Sequence, residues 1–157
     1  MFPLPSLILG ITAGLRTFTA PAAASWAARS GAFPVSNTPV AFLAHSYTPA
    51  ILTLLALGEY VTDTLPTTPS RKTPPQFLAR LISGSLVGTA AAAGSGPLLY
   101  GLLAGAVGAT AGTYGGAALR ATLASSFGED LPAALLEDAL AVGLTIPAVR
   151  NSAPLRP

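Results

Sequence analysis

The chain has 157 residues, of which 51% are hydrophobic and only 9% are charged. A soluble domain usually carries roughly 25% charged residues, and eight basic plus six acidic side chains cannot cover a soluble surface of this size. The composition therefore favours an integral membrane protein. The formal charge of +2 is too small to indicate nucleic-acid binding. Without cysteine and with one histidine, the chain cannot form disulfides, thiolate sites or a multi-histidine metal site, and no cofactor is expected.

Five apolar stretches follow one another along the chain, each close to the ~20 residues that cross ~30 Å of hydrocarbon. Because backbone amides in lipid must bond within their own segment, the stretches are predicted to be helices. The first stretch lacks a basic region before it and contains Arg16, so it is predicted to be a retained helix and not a signal peptide. The five stretches cover residues 4–28, 40–62, 76–94, 97–119 and 131–149.

These stretches predict an all-α, polytopic transmembrane bundle of about five membrane helices. Residues 1–150 are expected to form a single transmembrane domain, followed by a disordered tail over residues 151–157. The proline-rich segment 65–75 cannot continue a helix. Residues 125–130 are predicted to form a loop in which Asp130 caps the last helix.

The protein is expected to lie in the cell membrane, which in a bacterium is the inner membrane. Its main expected partner is the lipid bilayer. With five spans, the N-terminus shares a side with the connection at 65–75 and with the connection at 125–130. That side carries about one more arginine or lysine than the other side, which favours it as the cytoplasmic side.

Small residues four positions apart recur on several predicted helices and allow close approach of a second backbone. Packing within a compact bundle is the favoured interpretation of this pattern. The alternatives are a homodimer seam along the fourth helix and a water-lined path. The candidate packing residues are Gly10, Gly14, Gly84, Gly101, Gly105, Gly108 and Gly112.

Several ionisable side chains fall within the apolar stretches, where a charge costs about 2.5 kcal/mol or more. Glu59 and Asp63 lie one turn apart, so their carboxylates face the same way, as a proton or cation site requires. A purely structural ion pair is the alternative. Adjacent helical residues point about 100° apart, so only one of Glu137 and Asp138 is expected to face the site. The predicted central cluster contains Arg16, Glu59, Asp63, Arg80, Glu137 and Asp138.

Two arginines lie near predicted helix ends. Arg80 lies near the start of the third stretch. The alternative to its membership of the cluster is a role as an anchor at the membrane interface. Arg120 ends the fourth stretch and is expected at the interface.

A short internal similarity links Gly-Ile-Thr-Ala-Gly at residues 10–14 with Gly-Ala-Thr-Ala-Gly at residues 108–112. Each segment begins a helix pair whose second member carries acids. Helices one and four are expected to cross in opposite directions, which is the arrangement of an inverted repeat. A chance match in a sequence rich in glycine, alanine and threonine is the alternative.

Four motifs spread over most of the chain carry a family resemblance. They are Ala-Gly-Leu-Arg at 13–16, Gly-Glu-Tyr-Val-Thr-Asp-Thr-Leu-Pro at 58–66, Arg-Leu-Ile-Ser-Gly at 80–84 and Leu-Glu-Asp-Ala-Leu-Ala at 136–141. With these motifs the chain resembles domain of unknown function 4126, an uncharacterised bacterial membrane protein family. Members often have an asparagine-like residue where this chain has Arg16, so its charge balance is expected to differ there. The resemblance implies no activity, only that Glu59, Asp63, Arg80, Glu137 and Asp138 belong together.

The buried charges favour a transporter or channel for an ion or small polar solute, and not an enzyme. The alternative is a non-catalytic membrane scaffold or modulator of a partner protein. A third hypothesis is a lipid-modifying enzyme that uses Glu59, Asp63, Ser70, Arg71 and Lys72. No phosphate loop, nucleophile elbow or zinc motif in the sequence accompanies those residues.

Overall fold

A computed structural model describes residues 3–63 and 71–152. These residues form six α-helices and one 3-10 helix and contain no strand, which confirms the prediction of an all-α protein. The disordered tail was predicted from residue 151, but residues 151 and 152 are part of the last helix. The rest of the predicted tail and most of the proline-rich segment lie outside the described residues. The helices are α1 (Leu4–Leu15), α2 (Thr19–Arg29), α3 (Thr48–Thr62), α4 (Pro74–Ala92), α5 (Leu98–Phe127) and α6 (Asp130–Ser152), with the 3-10 helix at Ala41–Ala44.

The first apolar stretch is two short helices, so the prediction of one continuous span was wrong. α1 ends at Leu15 and α2 begins at Thr19, and the backbone of Arg16 between them is extended, with φ −134° and ψ 116°. Pro21 explains part of the break, because a proline has no N–H to donate to the carbonyl four residues earlier. That carbonyl belongs to Thr17, and it accepts a hydrogen bond from the Ser83 hydroxyl instead, at 2.5 Å.

α1 runs antiparallel to α4. Near the start of α1, the Ser6 hydroxyl donates to the Gly88 carbonyl at 2.9 Å. At the end of α1, Arg80 donates to the Leu15 carbonyl at 3.0 Å. α1 therefore starts beside the carboxyl-terminal half of α4 and ends near its second turn.

The chain then turns back, so that α1 and α2 form a helical hairpin with its tip at residues 16–18. The chain just after α2 returns to the carboxyl end of α4, where Pro34 packs against Gly94. α3 follows in the opposite direction to α2, because the Thr19 and Tyr60 hydroxyls lie 2.8 Å apart and the Trp26 indole donates to Thr53 at 3.1 Å. Both ends of the hairpin therefore lie at one end of the bundle.

This reversal changes the expected topology. The end of α3 lies beside α5, because Arg120 donates to the Asp63 carbonyl at 3.2 Å. The α3–α4 and α5–α6 connections therefore share the end of the bundle opposite the start of α1. The prediction that the N-terminus lies on the side of these two connections was wrong, because the chain turns back at the hairpin tip.

Other helix boundaries differ from the predicted ones in two places. Residues 40–47 are not part of a long helix, because Pro49 lacks the N–H that such a helix needs and would clash with the carbonyl of residue 45. α5 continues to Phe127 and ends at Gly128, which has a φ of 73°, so most of the loop predicted at 125–130 is helical. With 30 and 23 residues, α5 and α6 are long and apolar enough to cross a membrane and are candidate spans.

Glycines bring the backbones of α1, α4 and α5 into direct contact. A Cβ atom placed on Gly105 would lie 2.9 Å from the carbonyl carbon of Gly84, and one on Gly112 would lie 3.1 Å from the Cα of Gly14. The face of α5 that could have formed a homodimer seam is therefore covered by α1 and α4 of the same chain. The glycines at such contacts include all of those proposed for packing: Gly10, Gly14, Gly84, Gly101, Gly105, Gly108 and Gly112.

The two similar segments of sequence contact each other but run in the same direction. Gly10 lies against Gly105, and about one helical turn later Gly14 lies against Ala109. α1 and α5 are therefore parallel, and the prediction that they cross in opposite directions was wrong. The physical reason is again the turn at residues 16–18, which adds one reversal of chain direction before α5.

We predict that Gly105→Ala destabilises the protein, whereas Gly115→Ala on the same helix does not. The added methyl at Gly105 meets the backbone of α4, and overpacking of this kind costs about 1–3 kcal/mol. Gly115 has open space around its Cα, and alanine favours a helix over glycine there. Thermal unfolding of both purified variants checks this, and equal melting temperatures would contradict the close packing.

Candidate functional site

The carboxylate of Glu59 on α3 binds the amino end of α2 at the hairpin tip. Its Oε1 accepts the N–H of Thr17 at 2.7 Å, and its Oε2 accepts the N–H of Phe18 at 2.9 Å. Phe18 is the N-cap of α2 and cannot cap the helix with its own side chain. Because the amino end of a helix carries partial positive charge, an anion is favourable there. Glu59 thus supplies from another helix the cap that α2 lacks.

The guanidinium of Arg80 on α4 binds the carboxyl end of α1. Its Nη1 donates to the carbonyls of Leu15 at 3.0 Å and Gly14 at 3.3 Å, and the residue is only 3% exposed. A cation is favourable at this negative end of a helix. The Nη2 atom also lies 3.6 Å from Oε1 of Glu59. One pair of opposite charges therefore binds the backbone at both helix ends of the tip.

Arg16, at the tip itself, is fully buried between two carboxylates. Its guanidinium pairs with Asp63 at the end of α3 and with Asp138 on α6. The Nη2 atom lies 2.5 Å from Oδ1 of Asp138, well within ion-pair distance. The guanidinium carbon also lies 5.4 Å from the centre of the Tyr60 ring, at cation–π distance.

A second group of charges adjoins the tip and is centred on Glu137 of α6, which is 1% exposed. Arg71 donates to both of its oxygens, with Nη2 at 2.9 Å from Oε2. Nη1 of Arg120 lies 3.7 Å from Oε2 of the same carboxylate. Arg120 also donates to Asp130, from Nε at 2.9 Å and Nη2 at 2.5 Å. Through its bond to the Asp63 carbonyl, Arg120 links this group to the tip.

The structure brings all six proposed site residues into this one network. One expectation about them was wrong. Glu137 and Asp138 both face the interior, because the network surrounds the tip and the two side chains reach different arginines. Arg80 binds partners inside the bundle. Arg120, which is not one of the six and was expected at the interface, also lies close to Glu137 inside the bundle. The six residues are Arg16, Glu59, Asp63, Arg80, Glu137 and Asp138.

Sequence reasoning missed three members of the network, Arg71, Arg120 and Asp130. Arg71 follows the proline-rich segment, and nothing local indicates that it reaches Glu137 on the last helix. If the fourth predicted helix had been extended to Phe127, Arg120 and Asp130 would have been placed on neighbouring helices close to their connection.

An apolar cavity of about 280 Å³ lies beside the hairpin tip. The hairpin contributes Thr17, Phe18 and Pro21 to its wall, and α4 contributes Ser83 among others. Ser83 also binds the tip backbone directly. The cavity therefore provides space next to the segment where the chain turns. Its other lining residues are Phe42, Leu43, Leu52, Ala79, Ile82 and Leu86.

The fold and the site define an all-α protein in which a buried helical hairpin is held by ion pairs at its tip. The chain belongs to the family described as domain of unknown function DUF4126, whose model matches residues 4–154. No curated protein and no solved structure matches the chain. The family description assigns no activity, so function has to be argued from the site.

We predict that Arg80→Met strongly destabilises the protein, whereas Arg29→Met does not. Methionine leaves the Gly14 and Leu15 carbonyls and the Glu59 carboxylate without their arginine, and breaking a buried ion pair in this way costs about 3–5 kcal/mol. Arg29 is exposed at the end of α2, where a substitution changes stability by about 0.5 kcal/mol or less. Thermal unfolding in detergent compares the two variants. Similar melting temperatures would show that Arg80 does not hold the hairpin.

Proposed function

We propose that the protein is a multi-pass membrane protein that transports or conducts an ion or small polar solute. The observation that carries this proposal is the hairpin tip, where open helix ends and Arg16 are buried among carboxylates and arginines. In membrane transporters, interrupted helices bind solutes through their free backbone ends, and such a backbone is tolerated where protein surrounds it or where it lines a cavity. The tip of this hairpin is an interruption of that kind. Protein surrounds it, a cavity lies beside it, and the side chains of Glu59 and Arg80 bind its backbone ends.

The distribution of side chains supports a membrane environment. Large apolar side chains face outward, for example Leu54 on α3 at 68% exposure and Val107 on α5 at 63%. The buried core consists mostly of alanine, together with glycines at helix contacts. Soluble proteins rarely expose such extended apolar surfaces, whereas lipid is a favourable neighbour for them.

In this proposal α4, α5 and α6 cross the membrane, α3 crosses together with the 3-10 helix that precedes it, and the hairpin enters and leaves on one side. α1 has 12 residues, which gives it a length of about 18 Å. The hydrocarbon layer is ~30 Å thick, so a helix of this length ends inside it. The proposal thus replaces five crossings with four crossings and a re-entrant hairpin.

The ion pairs explain how such a site could bind a solute within a low-dielectric interior. Isolated charges there are costly, but each carboxylate of the network lies within ion-pair distance of an arginine. A solute with a polar or charged group can bind by replacing one partner of a pair. The adjacent cavity gives Phe18 and the tip space to move when this happens. The site in this view binds and releases solute and carries out no covalent reaction.

We predict that proteoliposomes containing the protein show solute flux and that Glu59→Gln lowers it by roughly ten- to hundredfold. A neutral amide loses charge-assisted hydrogen bonds worth about 1.5–3 kcal/mol. Glu129→Gln is the matched control, because this carboxylate is exposed at the α5–α6 connection. Size-exclusion chromatography verifies folding of both variants. Equal flux in both would contradict the proposal, and co-purification of a stoichiometric partner without flux would favour the scaffold alternative.

We predict a specific labelling pattern for single cysteines introduced into this cysteine-free chain. Cysteines replacing Leu4, Ser30 and Ser95 should react with an impermeant thiol reagent from one side of the membrane, and those replacing Lys72 and Glu129 from the other. The reason is that both ends of the hairpin lie at one end of the bundle. Labelling of Leu4→Cys on the side of residue 72 would contradict the re-entrant hairpin and restore five crossings.

A further inference from the structure

We propose that the amino end of α2 is a binding site for a small monovalent anion, which the Glu59 carboxylate occupies as a tethered ion. The proposal rests on the transport function above and adds the class of solute to it. A chloride ion or a small carboxylate such as formate has the charge and size to replace the carboxylate of Glu59.

The two donors at this site are fixed in place. The N–H groups of Thr17 and Phe18 bind the two oxygens of Glu59 at 2.7 and 2.9 Å. They belong to the backbone of the tip, whereas Glu59 reaches them with a side chain from α3. If that side chain turns away, both donors remain, still directed at the same point at the positive end of α2.

A buried arginine with unused hydrogen-bonding capacity points independently to an anion. Arg80 is 3% exposed, and its Nε has no hydrogen-bond partner among residues 3–63 and 71–152. Its Nη2 lies 3.6 Å from Oε1 of Glu59, which is too long for a hydrogen bond. A guanidinium has five N–H donors, so an anion smaller and less constrained than a side chain could approach it more closely.

The pairing of the other charges favours an anion over a cation as the ligand. Asp63 and Asp138 both contact Arg16, and Glu137 contacts Arg71 and Arg120. A metal cation would have to displace an arginine from one of these carboxylates. An anion at α2 has only to displace Glu59, and it then neutralises Arg80, which would otherwise be buried without a counter-ion.

Competition for the same two N–H groups would let Glu59 release a bound anion. The anion binds Thr17 and Phe18 when Glu59 turns away, and the returning carboxylate displaces it, so a neutral amide at this position slows release and lowers flux. Asp63, one turn further along α3, stays paired with Arg16 in either state and does not oppose the incoming anion as a free charge.

The test is anion-dependent thermal unfolding of Glu59→Ala in detergent, with Asp63→Ala as the matched control. Both variants lose one carboxylate from the end of α3, but only Glu59 binds backbone N–H groups. Chloride or formate, compared with gluconate at equal ionic strength, should raise the melting temperature of Glu59→Ala saturably, by about 5 °C or more. The control and the unsubstituted protein should shift much less.

An equal response of the two variants would overturn the proposal, because it would reflect general screening of the arginines. If Glu59→Ala does not fold, Glu59→Gln replaces it, since the amide occupies the same space and still leaves one N–H without a charged acceptor. Because binding is measured without liposomes, anion binding without flux would support the site and contradict transport. Flux of another solute without anion binding would overturn the site and leave transport intact.

Discussion

The turn at residues 16–18 depends on three side chains from other helices. Buried N–H and carbonyl groups without partners cost about 1–3 kcal/mol each, and at this turn Glu59 binds the N–H groups while Arg80 and Ser83 bind the carbonyls. With both ends bound, the chain can reverse inside the bundle. The short lengths of α1 and α2, the position of the start of the chain and the convergence of charges around Arg16 all follow from this reversal.

Glycine packing makes room for the hairpin. α1 lies against α5 and α4 with backbone touching backbone at Gly10, Gly84 and Gly105, so no side chain separates the helices at these points. Many large apolar residues face outward, although Leu9, Phe33 and Leu43 are buried. The contacts of α1 with α4 and α5 are therefore built largely from backbone groups and small residues, and ion pairs surround the hairpin tip. This arrangement connects the composition of the chain to the proposed transport of a small ion.

The sequence identified the charged residues better than it identified the path of the chain. Glu59 and Arg16 stood out because charges within apolar stretches are rare, and the glycine spacing predicted close helix packing. The break was missed because hydrophobicity continues across it. Pro21 frees the carbonyl of Thr17, but whether a helix ends there depends on donors from distant parts of the chain. Arg120 was misjudged because its partners are on other helices, which local pattern cannot reveal.

The binding of Glu59 to the tip can be measured directly by amide hydrogen exchange, resolved by NMR for Thr17 and Phe18. We expect both amides to exchange slowly in the unsubstituted protein. In Glu59→Ala, without added chloride, they should exchange faster by on the order of tenfold or more, while amides in the middle of α5 keep their rates. Rapid exchange of Thr17 and Phe18 in the unsubstituted protein, or identical rates in the variant, would contradict the claim that Glu59 holds the hairpin tip.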